Sequence, residues 1–239
     1  ENLKLLKGFT LAEVLITLGI IGVVAALTLP SLVADYKDKV YASSAKRTYS
    51  LINQAIKTYE AEEGVVGDIS GLFDVTKSSA QVLEKFSKYF QVVKICSSYT
   101  SACMKYNYNI RFSSPMYDVD GNSFGTKMAL PAMITKDGAI INIVQYRSCE
   151  RANSGYAYNA DGTVKVDADG KPITQTWIDR YCATITFDTN GLAKPNQFGA
   201  DVFLVTILQN GNIGIGWTER GGNSLKNILL NKEPLYTRY

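Results

Sequence analysis

An unusually long run of apolar residues lies near the start of the chain. From Val14 to Val33 the sequence reads VLITLGIIGVVAALTLPSLV, about twenty residues without a charge, and a helix of that length spans about 30 Å. The run is apolar on every side, whereas a helix in a soluble core is usually shorter and apolar on one face only. The pattern therefore predicts a membrane-spanning helix.

After Tyr36 the apolar pattern becomes one-sided. Apolar and aromatic residues recur at steps of three and four, at Tyr41, Ala45, Tyr49, Ile52, Ile56 and Tyr59. We expect the helix to continue to about Gly64, with a first half in the membrane and a second half packed on a head. The stripe between Ser79 and Phe90 predicts a second, short helix.

From Thr126 onward the sequence is dominated by short β-rich runs separated by glycine-containing turns. Residues 128–135 and 139–145 predict a hairpin around Lys136-Asp137-Gly138. Residues 182–188, 202–208 and 212–217 predict further strands, and residues 160–172 a hairpin insertion at the surface. The predicted fold class is α+β: a long N-terminal helix packed on an antiparallel sheet.

Composition argues against several classes of function. The formal charge of +3 is small for 239 residues, and no Lys/Arg cluster indicates a nucleic-acid surface. The chain has no histidine, so it lacks the commonest general base and the commonest ligand of transition metals. A membrane-tethered enzyme is a further hypothesis, but no nucleophile elbow in the sequence supports it. We predict that the protein is not an enzyme.

The four cysteines fit a disulfide framework. No C-x-x-C pair and no histidine are present to form a zinc site, so two disulfides in an oxidising compartment are favoured over four buried thiols in the cytosol. Order alone does not give the pairing. We favour Cys96 with Cys103 and Cys149 with Cys182, which closes one short loop and one longer loop.

The residues before the apolar run indicate a particular kind of export signal. Lys4 and Lys7 place this end on the cytoplasmic side, and no small-x-small cleavage site with a polar continuation follows Ala25 or Ala26. The block Gly8-Phe9-Thr10-Leu11-Ala12-Glu13 resembles the type III signal of type IV pilins, pseudopilins and competence pilins. The match covers only about the first thirty residues.

The resemblance implies a processing scheme and a domain organisation. A prepilin peptidase would cut after Gly8 and methylate the new N-terminus at Phe9, leaving a head built like those of pilins. Glu13 takes the place of the family's glutamate at the fifth mature position, and Pro30 that of its helix-bending proline. The resulting boundaries are a cleaved leader at residues 1–8, a transmembrane and assembly helix at 9–34, and a head at 35–239.

Glu13 is an acid within an apolar segment. A carboxylate near the membrane centre costs roughly 2.5 to 3.5 kcal/mol on insertion scales, less near the interface, so it should have a partner. The resemblance implies that it pairs with the free amine of Phe9 on a neighbouring subunit. The alternative is a side chain that snorkels to the lipid headgroups.

The segment from Phe187 to Phe203, FDTNGLAKPNQFGADVF, is the most distinctive part of the head. It resembles a D-x-N-G, P-N, G-x-D-x-F segment of some pilin-like proteins, and a loop of comparable placement binds calcium in major pseudopilins. Asp188, Asn190 and Asp201 are hard oxygen donors of the kind that calcium requires. Aspartate and asparagine before glycine also form ordinary turns, so a purely structural loop is the alternative. No other cofactor is predicted.

These observations lead to one main hypothesis and one alternative. The chain is expected to be a structural subunit of a type IV pilus-like or type II secretion pseudopilus filament, held first in the bacterial inner membrane by a single span with its head outside the cytoplasm. Its expected partners are other pilin subunits, the prepilin peptidase and the inner-membrane assembly machinery, with no nucleic acid. The alternative is a minor tip pilin that binds a ligand or surface through tyrosines, namely Tyr99, Tyr106, Tyr108, Tyr156 and Tyr158.

Overall fold

The structure is a computed structural model, and it describes residues 10–238. The first element is helix α1, Leu11–Glu63, of 53 residues. The chain divides into two compact units, one ending at Val40 and the other beginning at Tyr41. Each unit is described by itself below.

In the first unit, the helical residues up to Val33 expose their apolar side chains. Among the described residues, α1 is the one helix long and apolar enough to cross a membrane, judged by length and composition. The exposed side chains include Leu11, Val14, Leu15, Ile16, Leu18, Ile20, Ile21, Val23, Val24, Leu27, Leu29, Leu32 and Val33. Pro30 lies inside the helix.

The hydroxyl groups of this apolar stretch are satisfied within the helix itself. Thr17 donates to the carbonyl of Glu13 at 2.9 Å, and Thr28 to that of Val24 at 2.9 Å. Ser31 donates to the carbonyl of Thr28 at 3.0 Å. Such back-bonding removes the need for water, which the hydrocarbon of a membrane does not supply.

The second unit is built on a six-stranded sheet in the order β1-β4-β5-β8-β9-β10, and all neighbouring strands are antiparallel. Two separate hairpins, β2–β3 and β6–β7, complete the strands. The bounds are β1 Val92–Cys96, β2 Asn109–Tyr117, β3 Ser123–Lys127, β4 Ala132–Thr135, β5 Ile140–Gln145, β6 Arg151–Tyr156, β7 Thr174–Asp179, β8 Ala183–Asp188, β9 Val202–Ile207 and β10 Ile213–Ile215.

Both faces of the central sheet are covered. On one face the part of α1 after Tyr41 packs with α2 (Ser79–Ser87) and α3 (Gly222–Leu229). This core includes Ile52, Ile56, Phe86, Ile141, Ile185, Phe203, Val205 and Leu225. A smaller core on the other face is formed by Ile110, Phe112, Met128, Ala132, Ile140, Phe198, Val202 and Leu204. Since both faces are covered, every residue of β8 and β9 is buried, including the polar Thr184, Thr186 and Thr206.

The α+β class, the end of α1 at Glu63 and the antiparallel sheet agree with the sequence predictions. The turn at Gly138, with φ 89°, joins β4 to β5 as expected. Two predictions were wrong in extent, and one helix was missed. Helix α2 ends at Ser87 rather than Phe90, the strands begin at Val92 rather than after Thr126, and α3 was not predicted.

Candidate functional site

The residues predicted to direct processing and assembly lie at the start of the chain. Gly8 and Phe9 fall outside the described residues. Glu13 is exposed near the start of α1, where it forms a capping box with Thr10. The backbone N–H of Glu13 donates to the hydroxyl of Thr10 at 3.2 Å, and the backbone N–H of Thr10 donates to the Glu13 carboxylate at 2.8 Å. The capping box is visible in the sequence as Thr10-x-x-Glu13, and it was not among the features predicted above.

The four cysteines form two disulfides in the favoured pairing. Cys96, at the end of β1, is bonded to Cys103, seven positions further on. Cys149, just before β6, is bonded to Cys182, just before β8, across a sequence separation of 33. Disulfides of this kind persist in oxidising compartments.

The three residues proposed as calcium ligands belong to one buried cluster. Asp188 ends β8, and Asp201 lies just before β9; both are fully buried. The hydroxyl of Tyr108 donates to Asp188 Oδ2 at 2.6 Å, and the backbone N–H of Asn190 donates to Asp188 Oδ1 at 3.1 Å. The backbone N–H groups of Gln197 and Asn196 donate to the two Asp201 oxygens at 2.8 and 3.0 Å.

Burial of this cluster disfavours ionised carboxyl groups. Burial, and then the nearby charge of Asp201, raise the pKa of Asp188 to about 8. Burial also raises the pKa of Asp201. The pKa of the Tyr108 hydroxyl is raised by burial and by the charge of Asp188, so Tyr108 stays a hydrogen-bond donor.

The cluster fits calcium in its donors, but its carboxylate oxygens are also satisfied without the ion. Within residues 10–238 no group of three or more His, Cys, Asp or Glu is arranged to hold a metal. The amide oxygens Oδ1 of Asn190 and Asn196 are nevertheless buried without a hydrogen-bond partner, and calcium accepts such ligands. Each oxygen of Asp188 and Asp201 already accepts a hydrogen bond, as a structural loop requires. The calcium site and the purely structural loop therefore both remain predictions.

A cleft lined by aromatic side chains lies on the second unit, and it was not predicted from the sequence. Its volume is about 970 Å³. We call it the aromatic cleft; its aromatic lining residues are Tyr146, Tyr156, Tyr158, Trp177, Tyr181 and Trp217. Of the tyrosines proposed for ligand binding, Tyr156 and Tyr158 lie here, and Tyr99, Tyr106 and Tyr108 do not.

The hairpin β6–β7 supplies one wall of the aromatic cleft. The register pairs Arg151 with Asp179, Asn153 with Trp177 and Gly155 with Gln175. Because side chains alternate along a strand, residues two apart share one face of the hairpin. A β-carbon at Gly155 would lie 3.0 Å from the Trp177 indole, so this ring packs closely against the main chain of the neighbouring strand.

Asp179 organises this wall. Its side chain is buried and accepts hydrogen bonds from Asn153 Nδ2 at 2.6 Å, Trp177 Nε1 at 3.1 Å and the Tyr181 hydroxyl at 2.7 Å. Burial, followed by the hydrogen bond to Asp179, raises the pKa of Tyr181 above its ordinary value. Three side chains of the cleft are thereby held in place by one carboxylate.

Arg151 balances the charge of Asp179. Its guanidinium Nη2 lies 3.5 Å from Asp179 Oδ2, and Nη1 donates to the carbonyls of Ser148 and Tyr181 at 2.6 and 2.9 Å. The guanidinium carbon also lies 3.6 Å from the centre of the Tyr146 ring. This stacking, together with the edge-to-face contact of Tyr146 and Tyr181 at 5.5 Å, stabilises the aromatic side of the cleft.

Comparison with known proteins does not assign this chain. No family model, curated protein or solved structure matches it.

Proposed function

We propose that the chain is a structural subunit of a type IV pilus-like or type II secretion pseudopilus filament. The observation that carries the proposal is the exposed apolar surface of α1 between Leu11 and Val33. A surface of this size, apolar on all sides, is unstable in water and must be covered by lipid or by other protein. In a filament subunit this helix is surrounded by lipid before assembly and by the helices of neighbouring subunits afterwards.

The residues at the start of α1 support the same proposal. The block from Gly8 to Glu13, followed directly by an apolar helix, is the arrangement that a prepilin peptidase would process. Cleavage after Gly8 leaves the apolar helix attached to the head, so the processed chain keeps its anchor. The disulfides of the second unit agree with a head outside the cytoplasm.

The proposal requires no catalytic chemistry in this chain. The partners are other pilin subunits, the peptidase and the inner-membrane assembly machinery. The location is the bacterial inner membrane, with a single span, and then the filament. The head's task in this proposal is to present a folded surface on the outside of the filament.

The test is to follow the chain from membrane to filament in cells that make such filaments. The chain is tagged in an exposed loop, for example beside Asp169, and its amount in sheared filaments is compared with its amount in the membrane pool. We expect the processed form in both pools and only the processed form in filaments. Recovery of the chain solely from membranes, in cells whose filaments assemble normally, would contradict the proposal.

A specialised, ligand-binding tip subunit is the second candidate, and the aromatic cleft favours it. A purely structural subunit has no need for a recess lined by exposed aromatic rings. Abundance separates the two candidates, because a tip subunit is present in few copies per filament. Quantitative mass spectrometry of purified filaments measures that ratio.

A further inference from the structure

We propose that the aromatic cleft binds a neutral glycan, with Trp177 as the stacking surface and Asn153 and Gln175 as hydrogen-bonding groups. The inference concerns the second unit alone and does not depend on filament assembly. The cleft volume of about 970 Å³ lies within the range of about 300–1,000 Å³ usual for small-ligand sites.

One large aromatic ring, that of Trp177, is exposed inside the recess. Trp177 is 41% exposed, although its indole is large enough to favour burial. The exposed part of this indole is an apolar surface that a ligand can cover. A pyranose has a matching flat face of C–H groups and carries its hydroxyl groups around the edge, so it can stack and hydrogen-bond at once.

The Trp177 ring and the Asn153 amide are held in place before any ligand arrives. Trp177 is held through its Nε1 by Asp179 and packs against the main chain at Gly155. Asn153 is held by the same carboxylate through Nδ2, which leaves its Oδ1 as an acceptor for a hydroxyl group. A preorganised site loses less conformational entropy on binding, which favours weak, neutral ligands in particular.

The charge of the cleft lining indicates which class of sugar fits. The carboxylate of Asp179 is paired with Arg151. The other charged residues that line the cleft are two acids, Asp161 and Glu219, and one base, Arg220. Arg220 itself lies over the Trp217 ring at 5.4 Å. With acidic groups in slight excess, the cleft disfavours an anionic sugar such as a sialylated one. A neutral oligosaccharide is therefore the ligand class that the side chains fit.

The experiment uses the full chain in a zwitterionic detergent without a sugar headgroup, so that the detergent does not compete. The chain is applied to a panel of neutral, N-acetylated and sialylated oligosaccharides and to aromatic-rich peptides. The strongest neutral binder is then titrated by intrinsic fluorescence. Both tryptophans of the chain, Trp177 and Trp217, line the cleft, so the emission reports directly on the site.

We expect a neutral oligosaccharide to change the tryptophan emission in a saturable way. Trp177→Ala should weaken binding by roughly tenfold or more, as loss of a central aromatic contact does. Gln175→Ala, an exposed position, should weaken it by roughly fivefold through one lost hydrogen bond. For variants without Trp177 the affinity is measured by isothermal titration calorimetry.

Tyr99→Ala is the matched control, because Tyr99 is an aromatic residue 56% exposed and outside the cleft. It should bind like the unmodified chain. Circular dichroism and mapping of the Cys149–Cys182 disulfide establish that each variant is folded. Absence of neutral-glycan binding, binding of only sialylated glycans or peptides, or unchanged affinity in both Trp177→Ala and Gln175→Ala would overturn the inference.

Discussion

The carboxylate of Glu13 accepts hydrogen bonds from both the backbone N–H and the hydroxyl of Thr10, at 2.8 and 2.9 Å. The acid of the apolar segment therefore has a partner within its own helix. It fixes the first turn of α1 and satisfies donors that a helix start leaves open. A test of the hypothesis that Glu13 pairs with a neighbour's Phe9 amine must therefore separate this pairing from the capping of the helix.

Two substitutions at Glu13 separate charge from capping. Glutamine keeps the reciprocal hydrogen bonds of the capping box but carries no charge, whereas alanine removes both. If the charge drives assembly, Glu13→Gln and Glu13→Ala should both strongly reduce incorporation into filaments. The measurement is the ratio of the variant in sheared filaments to that in the membrane pool.

If Glu13 acts only by capping the helix, a different result is expected for the same two variants. Glutamine would then assemble normally, and only alanine would be impaired, by about 1 kcal/mol of helix stability. Membrane insertion should be at least as efficient in both variants, because a costly charge has been removed. The thermal unfolding of the second unit serves as the control, and neither substitution should change it.

The predicted cleavage after Gly8 depends on the sequence alone. Co-expression with a prepilin peptidase should remove the residues up to Gly8 and leave a methylated Phe9 at the N-terminus. Gly8→Ala should block both reactions. Intact-mass measurement decides the matter, and a mature chain beginning after Ala25 or Ala26 would instead indicate an ordinary secretory signal.

The two disulfides should contribute unequally to stability. In the loop-entropy model a crosslink across 33 positions contributes about 4 kcal/mol and one across seven about 2 kcal/mol. The double variant Cys149→Ala/Cys182→Ala should therefore unfold at lower urea concentration than Cys96→Ala/Cys103→Ala. If the two double variants have equal midpoints and equal denaturant slopes, loop length does not determine how much each disulfide stabilises the chain.

The parts of the fold that the sequence predicted are those with strong local patterns. Helix α1 and strand β9 carry long apolar runs, β8 alternates apolar residues with threonine, and the β4–β5 hairpin has its turn residues in place. Strand β6, RANSGY, has no such pattern: it is mostly exposed and owes its conformation to pairing with β7. Helix α3 follows Gly221, whose φ is 79° and which provides no side-chain cap.

The site was less predictable because its contacts are distant in sequence. Asn153 and Asp179 are separated by 26 positions and meet only through the register of β6 and β7. Tyr108 reaches Asp188 across 80 positions. Pattern analysis identifies residue types, such as Tyr156 or Asp188, but such pairings depend on the tertiary fold.

The Asp188 cluster predicts an unusual dependence of stability on pH. Burial holds the pKa of Asp188 at about 8 in the folded chain, whereas an unfolded aspartate has a pKa of about 3.9. Between these values the folded state binds more protons than the unfolded state, so stability falls as the pH rises. The contribution is present in full below about pH 4 and is lost as the pH passes through about 8.

In the steep part of this range the free energy of unfolding should fall by about 1.4 kcal/mol for each pH unit, as measured by urea unfolding. Asp188→Asn still accepts the Tyr108 hydroxyl but does not ionise, so it should flatten the profile. Asp161→Asn is the matched control: hydrogen bonds from Thr163 lower the pKa of the exposed Asp161, and its removal should leave the slope near pH 7 unchanged. An unmodified chain whose stability is level between pH 5 and pH 8 would contradict the assignment to Asp188.

Calcium distinguishes a metal site from a structural loop in the same experiment. If Asp188, Asn190 and Asp201 bind calcium, the ion competes with protons, so millimolar calcium should raise the melting temperature at pH 8 far more than at pH 5. Asp188→Asn and Asp201→Asn should abolish that increase, whereas Asp161→Asn should retain it. If calcium has no effect at pH 8, the unpaired amide oxygens of Asn190 and Asn196 do not form a metal site. The segment from Phe187 to Phe203 then acts as a structural loop that positions β8 and β9.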